Sequence, residues 1–258
     1  MTQVFITSPI SGLPTWPDPG DFNPTNTVEC VGMGGAGVQY YSPSAGWPGG
    51  GGGGGAYAIG TNVPVTFPVP YILTANPAYT IFGSHTYTPP PSTPGTVWAQ
   101  GGATSLGSGM PGGDAGTLYY PSGNAGGKGG STQPGGTNGG TSGGGGAGGP
   151  HGPGTAAVNN TSPSTPTAGG AADGGTVAGG AAGSAGQSGT QFDATHGIGS
   201  GGGGGTAVLT GPAAGSYGGG GGGGFGAAAG GAGGGPLIVI TYTPFVVPPG
   251  INAGTFVY

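Results

Sequence analysis

The chain has 258 residues, 74 of them Gly and 27 Pro, with one Lys, no Arg and six acids, for a formal charge of −5. Charged residues make up 3%, against about a quarter in an ordinary domain. So few cations exclude a phosphate-neutralising nucleic-acid surface; the glycine content excludes a helical bundle; and no apolar run reaches the ~20 residues of a membrane-spanning helix.

From the N-terminus, Met1-Thr2-Gln3-Val4-Phe5 offers neither a positive region nor a long apolar one, so no secretory signal is expected. Residues 3–8 read as a strand closed by Ser8-Pro9, and 27–33 as an alternating strand that runs into glycine. The second holds Cys30, the only cysteine, which reads as a small buried residue and excludes an internal disulfide. Runs at 56–67, 71–75, 79–82 and 96–99 also have strand composition. Several are punctuated by Pro, which marks an edge or a bulge. The strongest signal comes last, at 236–243. Leu237 to Tyr242 are nearly all apolar or β-branched, and Pro236 and Pro244 bracket them. A continuous run of that kind implies burial on both faces. It is expected to pair with an N-terminal strand and close the chain ends into one base.

The middle is built differently. Unbroken Gly runs occupy 49–55, 143–146, 201–205, 218–224 and 233–235, and residues 121–216 contain a single aromatic, Phe192. Unbroken runs exclude collagen, which needs Gly at every third position only. Disordered chains carry high net charge and few aromatics, whereas this one is 9% aromatic and 3% charged. Ordering a backbone residue costs roughly 1–2 kcal/mol, and glycine has no side chain to offset that by burial. Backbone hydrogen bonds remain, each contributing a net ~0.5–1.5 kcal/mol. They suffice when nearly every peptide group is paired, as in side-by-side threads of polyproline-II geometry, which have no internal bonds. The expected fold is therefore mainly irregular and β, with almost no α-helix: a bundle of polyglycine-II helices on a small β base made by the N- and C-terminal strands. Residues 1–244 form that single domain and 245–258 an apolar extension. Gly51, Gly53, Gly203, Gly221 and Gly223 are expected in the bundle interior.

The strand Val4-Phe5-Ile6-Thr7-Ser8, the entry Val28-Glu29-Cys30-Val31-Gly32-Met33-Gly34-Gly35, and the closing Gly233-Gly234-Gly235-Pro236-Leu237-Ile238-Val239-Ile240-Thr241-Tyr242 together resemble the glycine-rich domain of bacteriophage tail-fibre and other virion proteins. More loosely, the chain is similar to the polyglycine-II sandwich adhesins at the tips of some long tail fibres. The resemblance covers residues 3–244. It implies a phage particle component, and for the adhesins host-surface recognition by loops at one end of the bundle. The extension 245–258 runs past the usual end of such domains; it either docks on a partner, through Phe245, Val246, Val247, Phe256 and Tyr258, or packs on its own base.

Catalytic patterns are weak. His85, His151 and His196 are the only histidines, and Asp193-Ala194-Thr195-His196 gives two ligand or triad types without a third. The sparse acids show no paired spacing, and Lys128 is followed by Gly129 rather than by a phosphate-loop Ser or Thr. The reading is non-enzymatic, with no cofactor and no metal. Tyr40, Tyr41, Trp47, Tyr119, Tyr120, Phe192 and His196 are candidate contacts to sugars or protein surfaces, because flat side chains give contact area at low entropy cost; capping of the bundle against water is the rival role. Three functions stay open: a tail-fibre or adhesin protein with its aromatics gathered at the end away from 237–242, a capsid decoration or head-fibre protein docked by its apolar ends, and a Gly-rich ice-binding or cell-surface protein with a flat Thr/Ala face and no docking base. The first two place it on the virion surface after synthesis in the host cytoplasm. Partners would be other virion proteins, further copies of the chain and a host receptor or polysaccharide, with no nucleic acid and no membrane insertion.

Overall fold

The computed structural model describes residues 1–7, 14–39, 48–73, 79–83, 94–105, 112–132, 140–162, 165–205, 210–225 and 228–245. Their only helical element is one 3-10 turn at Asp173–Gly175; ten strands form two antiparallel five-stranded sheets. The first sheet holds β1 (Thr2–Ile6), β10 (Leu237–Tyr242), β3 (Asn26–Val31), β4 (Tyr57–Thr61) and β9 (Ser122–Asn124), in that spatial order. The second holds β2 (Thr15–Trp16), β5 (Val69–Leu73), β6 (Tyr79–Phe82), β7 (Val97–Gln100) and β8 (Tyr119–Tyr120).

β10 lies between both N-terminal partners: Val4 pairs with Ile240, and Ile240 in turn with Val28. Its alternation splits its side chains between two cores. Ile238, Ile240 and Tyr242 point between the sheets, where they meet Val28, Cys30, Ala58, Val69, Tyr71, Leu73, Phe82 and Val97. Leu237 and Val239 point to the other face and pack with Val31, Tyr57, Ala147, Ala172, Val177 and Ile198. Fully burying each such aliphatic side chain stabilises the fold by about 1.5–3 kcal/mol. The Thr80 hydroxyl donates to the Val31 carbonyl at 2.8 Å and the Cys30 thiol to that of Val97 at 3.4 Å, tying the sheets together. The base is thus larger than the terminal strands alone. Its second sheet comes from β2, which precedes the first glycine threads, and from four strands that follow thread 49–56.

Threads grow directly out of strands. β3 continues as 32–38, β7 as 101–105 and β9 as 125–131, while 49–56 leads into β4 and 228–236 into β10. Pairing continues with them, but its period changes. Beyond the β3–β4 ladder, Gly32, Gly35 and Val38 donate to Ala56, Gly53 and Gly50, at every third residue rather than every second. Beyond β3–β10, Gly34 and Gly37 donate to Gly234 and Gly231 at the same interval.

Thread 49–56 shows what this spacing does. Gly51 and Gly54 donate to Gly130 and Gly127; Gly52 and Gly55 to Gly221 and Gly218; Gly53 and Ala56 to Ala103 and Gln100. Its carbonyls accept from 32–38, from Gly113 and Gly116, and from Ser142, Gly145 and Gly148. Successive residues therefore bond to different neighbours, and six segments surround one thread. Threads 142–148 and 218–224 are bonded on all sides in the same way. Gly51, Gly53, Gly203, Gly221 and Gly223 are all buried. So is 143–146, which lies at the centre beside them.

Candidate functional site

The molecule has two poles. At one, the thread ends are closed by bridges Gln39–Gly224, Pro48–Phe225 and Thr132–Asn160. Buried hydroxyls plug the carbonyls there: Thr132 donates to Pro48 at 3.0 Å, and Thr141 to Gly205 and Gly223 at 2.9 and 2.8 Å. Asn160 donates to the Thr165 carbonyl at 2.9 Å. Gln39, Pro48, Thr132, Asn160, Gly205 and Phe225 therefore lie together at this pole. Ser105 lies about one turn below, where its backbone N–H donates to the Ala36 carbonyl. Tyr40, Tyr41 and Trp47 lie outside the described residues.

The other candidate aromatics are at the base. Tyr119 and Tyr120 form β8, paired with Ala99 and Trp98 at the edge of the second sheet. Tyr119 is exposed, and Tyr120 packs beside Ile72, Ile81, Trp98 and Tyr79 on that sheet's outer face. Phe192 packs against the outer core of the first sheet. His196 stacks on Phe5 of β1, with ring centroids 3.9 Å apart and planes 5° from parallel. These four therefore do not gather at the end away from β10, as the adhesin reading expected. Their segments continue strands or cross the sheet face rather than joining thread tips.

The acid–imidazole pairs are also on this face. Asp193 accepts from the His196 ring at 2.7 Å and from the backbone of Thr195 and His196; these bonds, the ring bond foremost, hold its carboxyl far below the ordinary range. The Thr195 hydroxyl meets the same ring atom, Nδ1, at 3.0 Å. A hydrolytic relay needs hydroxyl and carboxylate on opposite imidazole nitrogens, so this trio does not form one. Asp173 is fully buried, and burial opposes its charge. Bonds from His151, Gln191 and Thr176 outweigh that penalty and keep the carboxyl below its usual value. Each of them fixes a turn over the sheet. Glu29 is the opposite case: burial raises it, only partly countered by the hydrogen bond it accepts from the Tyr57 hydroxyl. Lys128 pairs with Asp114 at 3.1 Å. Among the described residues no three His, Cys, Asp or Glu side chains could share a metal ion, and no helix is long and apolar enough to cross a membrane.

The second pole lies at the far end of the sheets. Here Trp16, Phe22, Phe67 and Tyr242 form an aromatic cluster, Phe22 meeting Phe67 at 5.3 Å and Tyr242 at 5.1 Å. A groove of about 500 Å³ opens beside it, lined by Phe22, Pro24, Val63, Pro64, Val65 and Phe67, with Asp18 at its margin. Phe245, 39% exposed, donates its backbone N–H to the Asp21 carbonyl at 2.7 Å. Val246, Val247, Phe256 and Tyr258 lie outside the described residues. Sequence reasoning did not find this groove, because its two walls are loops about forty residues apart with no shared pattern. No protein-family model matches the chain, and no curated protein matches it.

Proposed function

We propose that the chain is a non-enzymatic structural protein of a bacteriophage virion, of tail-fibre or adhesin type, whose glycine threads are polyglycine-II helices. The period of three in the bonds of 49–56 supports the thread geometry, since polyproline-II backbone repeats every three residues and has no internal bonds. None of Gly49 to Gly55 or Gly219 to Gly224 has positive φ. Glycine serves these threads by allowing close approach, not by permitting an unusual twist. The observation that carries the functional reading is the segregation of the two poles. The thread ends at Gln39, Pro48, Thr132 and Phe225 gather at one end of the bundle, while the aromatic cluster and groove lie at the other. In this reading the thread-end pole, on its stiff support, faces a host receptor or polysaccharide. The base end faces the particle.

The capsid-decoration reading has one observation in its favour: Phe245, one of its docking residues, lies at the base pole and is 39% exposed. Labelled antibody against the base, imaged on purified particles, tests the assignment. Label at the tail is expected; label confined to the shell would transfer the protein to the capsid, and unlabelled particles would remove it from the virion.

A further inference from the structure

The groove at the base pole is apolar and incompletely covered: Phe22, Val65 and Phe67 are only half-buried although each packs on the inter-sheet core. The last described residue ends beside it. Phe245 is pinned to Asp21, next to Phe22, and Tyr242 both touches the Phe22 ring and donates from its hydroxyl to Asp21 at 3.0 Å. Thirteen residues follow, Val246-Val247-Pro248-Pro249-Gly250-Ile251-Asn252-Ala253-Gly254-Thr255-Phe256-Val257-Tyr258, with no charged side chain.

We infer that the groove is the seat of this chain's own segment 246–249. Proline restricts both itself and the residue before it to extended backbone, so Val247-Pro248-Pro249 is preformed in the polyproline-II state. Such segments dock in grooves lined by aromatic and apolar side chains, at low entropy cost. Phe22, Phe67, Pro24 and Pro64 supply those walls. Four residues at about 3.1 Å each span about 12 Å, so the segment reaches across the aromatic cluster without stretching. Tethering also favours this occupant over another copy, because a short connection sets an effective concentration in the millimolar range. Proline removes two of the segment's four backbone donors, so fewer polar groups of 246–249 need a partner other than solvent when it lies on an apolar wall. The uncharged segment also brings no side-chain charge near Asp18. This inference does not depend on the virion assignment.

Methyl-labelled full-length protein tests it by nuclear Overhauser spectroscopy. Cross-peaks are expected from the methyls of Val246 and Val247 to the rings of Phe22 and Phe67. They should be absent from an isotope-filtered spectrum of a mixed labelled and unlabelled sample. Cross-peaks in the mixed sample would assign the groove to a second copy. Rings with no contact to either valine would show the segment is elsewhere. Both results overturn the inference. A companion variant, Val247→Asp, should raise the fluorescence of an apolar dye severalfold by opening the groove; unchanged dye binding would count against it.

Discussion

A single carbon added at Gly54 would sit 2.0 Å from the carbonyl oxygen of Gly146, and one at Gly221 would sit 2.0 Å from that of Gly231. Both obstacles are backbone, so no side-chain rotation relieves them. Moving a thread aside breaks bonds to several neighbours at once. Gly54→Ala and Gly221→Val should each cost at least the ~1–3 kcal/mol of ordinary over-packing, while Ala229→Ser on the exposed side should leave the melting temperature unchanged. In a chain of this size the loss corresponds to a fall of roughly 2–12 °C, measured by calorimetry. A second prediction concerns Glu29. Burial raises its folded pKa above 4.5, so its contribution to stability is fully present at lower pH and is lost as pH rises through the raised value. Glu29→Gln keeps an acceptor for Tyr57 and removes the buried charge. The variant should melt higher than the parent at pH 8, and the gap should close toward pH 4.

At the scale of the element, the threads take their alignment from the strands. Seven consecutive glycines are identical to their own copy shifted by one residue, so 49–55 contains nothing that specifies its alignment with 32–38. The β3–β4 pairing, Val31 with Tyr57, fixes it one residue before the threads begin. This also explains what could be read from the sequence. β10 and β3 were legible from their apolar and alternating residues. Gly-rich threads were legible as threads, but their neighbours were not, because those follow from strand pairings between distant segments. Tyr119 and Tyr120 stood out only as candidate contacts, because so short a run before Pro121 carries no strand pattern of its own, yet pairing with β7 makes them a strand. Outward positions of the bundle follow another rule: Ala178, Ala181, Ala229 and Ala232 are exposed and carry a Cβ where inner positions have none. A Cβ there keeps a further thread from approaching, much as edge strands are blunted against pairing. Replacing these four by Gly should promote side-to-side self-association, detected by sedimentation velocity as species larger than the parent.

For the whole molecule, rigidity without an oily centre rests on the peptide groups. Amides of 49–56, 142–148 and 218–224 should exchange with solvent as slowly as those of β3 and β10, measured by hydrogen–deuterium exchange. Fast exchange in the threads alone would show that they open independently of the base. The arrangement of β10 has a consequence for manufacture. The strand that joins β1 to β3 is made after every other described strand of the two sheets, and it supplies side chains to both cores. Until then β1 has no neighbour in its sheet, and the thread before β10 is missing its anchor. The base therefore cannot close before residues 237–242 have been made, and a product terminated ahead of them stays open. The cell's proteases would meet such a product as an open chain, so only copies that include β10 would accumulate.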